Sequence, residues 1–314
     1  MKKGILMMAI SRGTESTEGA EVKRYEGVAP CYMKLCNPTK KQLEEAYGRE
    51  IEKDPEYVTV QEDNGEKVTN ARLSFLVQPD PEKVGFDAGL IPVNLYIRNQ
   101  YRYNKDKTKV QVIDKYGRTA WVTVEQAKNH EIPMYSNGPA NLDKDYRPAY
   151  VGEEELTKLI IAYLNIPSPM KFNNTEKKWY MVDNPSDSEC RLDHIEDYFK
   201  GDFSEVQEML TYQPKNKVKI EFGVKTNDEG KQYQTAYTQM FLKNNVTDYT
   251  KLEKDIQASK EAGRYSNVEF PVCNFREHKV EETDLSTPQG GSNPFENMGS
   301  DSNNPWEVGN VTPY

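Results

Sequence analysis

What this chain of 314 residues has little of narrows it first. Its longest apolar runs, Gly4–Ile10 and Leu159–Leu164, fall far short of the ~18 residues that span a bilayer as a helix. Four cysteines, Cys31, Cys36, Cys190 and Cys273, are too few and too scattered to staple a chain of this length, so the expected setting is reducing and cytoplasmic. There is no G-x-G-x-x-G, no G-x-x-x-x-G-K-[ST] and no alternating βαβ pattern, which argues against a nucleotide-binding parallel sheet. The three histidines, His130, His194 and His278, lie in polar contexts without a nucleophile signature, and the acidic pairs sit at helix starts or on exposed faces. A non-enzymatic protein with no cofactor is expected. Cys31 and Cys36 with Cys190 and His194 carry ligand types that suit zinc, but the two halves are far apart in sequence; buried free thiols are the plainer reading.

The second scarcity is of positive charge at one end. Residues 280–314 contain no Lys or Arg but six acids, and so hold −6 of the net −9. The remaining body carries 41 cations against 44 acids, close to neutral. The acidic end is also poor in aliphatic residues and rich in Gly, Pro, Asn and Ser, a composition that cannot bury enough surface to fold alone. It repeats itself: Asn293-Pro-Phe-Glu296 returns as Asn304-Pro-Trp-Glu307, and the sequence closes on Thr312-Pro-Tyr314. Phe295, Trp306 and Tyr314 are thus candidate anchors for a partner's apolar pocket with basic surroundings; the bland alternative is a linker with incidental aromatics. The division expected is a body over 1–279 and a disordered acidic tail over 280–314.

Within the body, local signals mark both element types. The capping box Thr39–Gln42, the run Glu153–Leu164 with acids in its first turn, and Tyr249–Ala262 before Gly263 read as helices, with shorter ones near Ile195–Lys200 and Ser204–Leu210. Residues 4–10 read as a first strand. Leu90–Tyr103, Lys109–Ile113 and Arg118–Val124, separated by turn-forming tetrapeptides, read as a meander; Val218–Val224 and Gln232–Leu242 around Asn227–Gly230 read as a hairpin. Short antiparallel strands with inserted helices suggest an α+β, β-rich protein on an OB-like barrel or curved sheet.

One stretch is conspicuous in an acidic chain. Residues 96–121 hold seven cations, Arg98, Arg102, Lys105, Lys107, Lys109, Lys115 and Arg118, against two acids, interleaved with Tyr96, Tyr101, Tyr103, Tyr116 and Trp121. Strict strand alternation puts Tyr96, Arg98, Gln100 and Arg102 on one face and Leu95, Ile97, Tyr101 and Tyr103 on the other. Aromatic and guanidinium planes stack unpaired bases at ~1–3 kcal/mol per base, while cations follow the phosphates. The candidate nucleic-acid-binding residues are therefore Tyr96, Arg98, Arg102, Lys105, Lys107, Lys109, Tyr116, Arg118 and Trp121. An ordinary half-exposed sheet, rich in Tyr with Lys protecting its edges, is the structural alternative.

Three further segments, Asn37–Glu50, 154–167 and Lys219–Thr226, resemble single-stranded DNA-binding proteins of tailed phages of the crAss-like group. The resemblance implies a role in phage DNA replication or recombination in the host cytoplasm, with single-stranded DNA as ligand and replication proteins recruited through the tail. It implies no particular binding residues. A virion or scaffold protein whose tail docks a neighbouring subunit is the alternative from another class.

Overall fold

The computed structural model describes residues 23–63, 65–131, 142–272 and 276–279. The first strand expected at 4–10 and the tail with Phe295, Trp306 and Tyr314 lie outside them. In chain order the elements are β1 (Lys23–Cys36), α1 (Lys40–Tyr47), β2 (Val58–Asp63), β3 (Glu66–Pro79), α2 (Pro81–Val84), β4 (Ile91–Tyr101), β5 (Lys109–Ile113), β6 (Thr119–Thr123), α3 (Val124–Lys128), β7 (Arg147–Pro148), β8 (Tyr150–Val151), α4 (Glu153–Tyr163), β9 (Met170–Asn173) and β10 (Lys178–Met181). They continue with α5 (Ile195–Tyr198), α6 (Ser204–Met209), β11 (Val218–Thr226), β12 (Gln232–Lys243), α7 (Thr250–Glu261), β13 (Val268–Glu269) and β14 (Arg276–Lys279).

Every strand pair among the described residues is antiparallel. The main sheet runs β12-β11-β1-β3-β4-β8, with β2, β13 and β14 added along it, and curls into a half-barrel. Three irregularities supply curvature: register shifts with the extra residues on β1 at Met33/Leu35, on β12 between Tyr237 and Leu242, and on β4 at Arg98/Tyr101. Each such bulge bends its strand and increases the local twist. A second sheet, β6-β5-β7, adjoins the far end of β4, where the Gln111 N–H donates to the Arg102 carbonyl at 2.8 Å. The third is a two-stranded hairpin, β9-β10.

Helix α4 lies across β4, β8, β11 and β12. Its apolar positions Leu156, Leu159, Ile160 and Tyr163 join Leu73, Phe75, Ile97 and Phe222 in the main core. Helix α1 starts as its sequence demands: the Thr39 hydroxyl accepts from the Gln42 N–H, the Gln42 side chain accepts from the Thr39 N–H, and Gly48 ends the helix at φ +64°. It buries Leu43 and Ala46 against Ile51 and Leu76.

Alternation fails in β11, where Lys219 and Glu221 are buried along with Val218, Ile220, Phe222 and Val224. Both faces of this central strand are covered. The second face belongs to a smaller core of Val28, Tyr237, Met240, Leu252, Ile256, Val268 and Phe270 beneath α7. Lys219 keeps its charge satisfied by donating from Nζ to the Val246 carbonyl at 2.6 Å.

Candidate functional site

The cation-rich stretch spans the end of β4, the following turn, β5 and β6, and the fold divides it in two. Its arginines are held by carboxylates. Arg98 is buried, with Nη1 3.6 Å from Asp63 Oδ2. Arg102 donates from Nη1 to Glu154 Oε2 at 2.9 Å and to Gln111 Oε1 at 3.1 Å, and its guanidinium lies 5.9 Å from the Trp121 ring centroid. Arg118 binds Asp114 Oδ2 through Nε at 2.8 Å and Nη2 at 2.6 Å, while Tyr116 beneath it is buried. Lys115 reaches Glu189 at 3.1 Å.

The register shift between Arg98 and Tyr101 sets three steps of β4 against one of β8, two extra residues, an even number that returns each side chain to its own face. Burial, not facing, departs from the expectation. Arg98 is buried and Tyr96 half-buried on one face, while Tyr101 and Tyr103, on the face of the buried Ile97, emerge at 41% and 43% exposure. Trp121, opposite Gln111 in the β5–β6 ladder, is half-buried beside Arg102.

The other part is open. Lys105, Lys107 and Lys109 are exposed in the turn and at the start of β5, and none joins an ion pair among the described residues. The turn is built by Asn104, whose side-chain oxygen accepts from the Lys109 N–H at 2.8 Å, and by Asp106, which accepts from the Thr108 hydroxyl at 2.7 Å. Lys107 sits there at φ +57°. Tyr101 extends the surface sideways, its ring 5.0 Å from Tyr150, which in turn lies 5.4 Å from Phe199.

Behind this surface stands a charged layer at the start of α4. Glu153 is fully buried and takes a two-pronged bond from Arg147 at 3.0 and 2.5 Å. Burial pushes the neighbouring carboxyl of Glu154 up, but Lys158, Gln111 and Arg102 outweigh it and hold Glu154 below its ordinary range. Glu155 differs: burial dominates, its nearest cation is Arg102 at 4.0 Å, and its carboxyl is raised.

The cysteine and histidine arrangement weighed for zinc does not assemble. Cys31, Cys36 and Cys190 are free thiols, and burial raises all three, that of Cys190 to about 12. His194 is exposed, and among the described residues no three potential metal ligands converge. Cys273 lies outside them.

Sequence reasoning passed over β9-β10. The signal was there: Lys171-Phe-Asn-Asn-Thr-Glu-Lys-Lys-Trp-Tyr180 brackets a polar turn with aromatics. Phe172 and Trp179 are cross-strand partners at 41% and 49% exposure, with ring centroids 5.2 Å apart. Among the described residues no helix is long and apolar enough to cross a membrane. No family model, no curated protein and no solved structure matches this chain.

Proposed function

We propose that the chain is a non-enzymatic single-stranded DNA-binding protein, an OB-like half-barrel that acts in phage DNA replication within the host cytoplasm. Its tail recruits replication partners through Phe295, Trp306 and Tyr314. The observation that carries this reading is the surface at the end of β4: two exposed tyrosines beside three lysines that pair with no carboxylate among the described residues. Tyrosine offers a flat face to an unpaired base, and free lysines offer charge to phosphates without reading sequence. Paired bases present no such face, so duplex DNA is the poorer ligand. Arg98, Arg102 and Arg118 contribute through the shape of the surface, because their charge is already spent on Asp63, Glu154 and Asp114.

Titration of tyrosine and tryptophan emission with oligo(dT) tests the reading. Quenching that weakens with salt is expected. Replacing Lys105, Lys107 and Lys109 together with Gln should flatten the slope of log K against log salt by about 2, at ~0.7 per phosphate contact on a single strand. A protein that leaves oligo(dT) unbound, or prefers duplex, overturns it.

A further inference from the structure

Among the described residues the β9-β10 hairpin pairs with no other strand, yet it carries the most exposed cross-strand pair of large aromatics. Two-stranded ribbons are marginal by themselves in water, and exposed Trp and Phe add nothing to folding where they touch nothing further. Cross-strand register puts Met170, Phe172, Trp179 and Met181 on one face, and Lys171, Asn173, Lys178 and Tyr180 on the other. Lys177 stands in the turn at φ +56°. Strands lie ~4.8 Å apart, so on a ribbon this narrow a phosphate beside a base stacked on one face is within a lysine side chain's length of the other. Lys171 pairs with Asp183 at 3.6 Å, and against Lys177 and Lys178 the hairpin sets only Glu176, which accepts from the Tyr180 hydroxyl. Aromatic faces with a cation excess suit a polyanion that carries flat apolar groups.

Its position adds the decisive fact. Arg118 Nη1 lies 3.8 Å from Met181 Sδ, which ties the hairpin to the β5–β6 turn. The lysine-bearing turn stands at the opposite end of β5, five residues and ~16 Å away at ~3.3 Å per residue. A strand stacked as in a duplex rises ~3.4 Å per nucleotide, so that span is about five nucleotides.

Resting on the single-strand reading above, we propose that β9-β10 is a second nucleic-acid subsite, which stacks unpaired bases on Trp179 and Phe172 and is engaged only by strands long enough to reach it from the Tyr101–Lys109 surface. Binding then becomes bivalent, and affinity rises steeply with oligonucleotide length once both sites are spanned.

The test uses the full chain, oligo(dT) of about 4 and about 15 nucleotides, and the Phe172→Ala/Trp179→Ala variant. The longer strand should lose about tenfold or more in affinity, the equivalent of one stacked base, while the shorter loses less than about twofold. Should that variant fold poorly, Trp121→Phe with Trp306→Phe leaves Trp179 as the sole tryptophan, and its emission should be quenched by the longer strand. Unchanged affinity of the double variant for the longer strand, or Trp179 emission indifferent to it at saturation, overturns the subsite and leaves the first surface standing. Loss of self-association with DNA affinity intact would do the same, and would assign the Met/Phe/Trp face to a protein contact. A wild-type chain that binds neither length overturns both.

Discussion

At the scale of single residues, the conformations of two lysines set a cost against a use. Lys107 and Lys177 each hold a left-handed backbone, at φ +57° and +56°, at turn positions where glycine would sit without strain. Such a conformation costs a residue with a Cβ ~1–2 kcal/mol, and residues held this way concentrate where structure serves a ligand. Lys107→Gly should therefore raise unfolding stability by about 0.5–1 kcal/mol, part of the gain being lost to glycine's greater unfolded entropy, and at the same time weaken oligo(dT) binding. Urea denaturation beside the fluorescence titration reads both; a variant that is more stable and binds equally well removes Lys107 from the interface. Glu154 and Glu155 make a second residue-scale contrast. The raised carboxyl of Glu155 means that its contribution to stability declines as pH rises from the unfolded value towards the folded one, whereas the stability lent by Glu154 is present above the ordinary carboxylate range and lost as pH falls through its depressed value. At pH 7, Glu155→Gln should stabilise by ~1 kcal/mol and Glu154→Gln should cost about 1.5–3 kcal/mol, because only the latter strips a direct partner from Arg102 and Lys158. Denaturation curves at pH 5 and 7 should show the Glu155→Gln advantage shrinking in acid.

At the scale of elements, Gly152 fixes where α4 begins. It stands at φ +90° between β8 and the helix, and a Cβ there would lie 1.8 Å from the Tyr96 carbonyl oxygen. No side chain resolves that overlap, so backbone must move, and with it the helix start that aims Glu153 at Arg147 and Glu154 at Arg102. Gly152→Ala should cost about 4 kcal/mol or more, against about 1 kcal/mol for Gly48→Ala, where φ is +64° but the space is open. Equal shifts in their urea midpoints would show that conformation, not close approach, governs both. Elements were the most legible level of the sequence. Capping at Thr39, acids ahead of Leu156, and the Asn227–Gly230 turn are local chemistry, and α1, α4 and the β11–β12 hairpin stand where that chemistry places them. What eluded sequence reading depends on distant partners. How far along β4 each face is covered is set by elements far away in the chain, so nothing in Tyr96–Tyr103 tells that Ile97 is buried while Tyr101, on the same face, is exposed. Likewise Arg102 reads as a free cation until α4 brings Glu154 to it from 52 positions along the chain.

For the molecule as a whole, the balance of charge governs the expected behaviour. Lys105, Lys107, Lys109, Lys177 and Lys178 are exposed and join no ion pair among the described residues, while residues 280–314 bring six acids and no base. A segment covalently joined to the surface it competes for meets it at an effective concentration of order millimolar, enough to compete with nucleic acid. Removing residues 280–314 should tighten oligo(dT) binding at low salt, and the gain should fade as the Debye length shortens from ~30 Å at 0.01 M to ~8 Å at physiological ionic strength. Phe295→Ala with Trp306→Ala keeps every charge, so affinity should stay at the wild-type value; a gain equal to that of truncation would trace the competition to the aromatics instead.

The long first strand has one more consequence, in time instead of space. β1 is the hub of the main sheet: Cys31–Cys36 pairs with β3, but Gly27–Cys31 waits for β11 and Lys23–Glu26 for β14. During synthesis, about 190 residues separate the end of β1 from the end of β11. At ~5–20 residues per second the ribosome needs roughly 10–40 s to deliver that partner. Throughout this interval β1 and β3 can pair while the other edge of β1, including Val28 and Ala29, stands open to any strand that passes. Slowing elongation between residues 80 and 218 should therefore lower the yield of correctly folded chain, and slowing it after residue 279 should not.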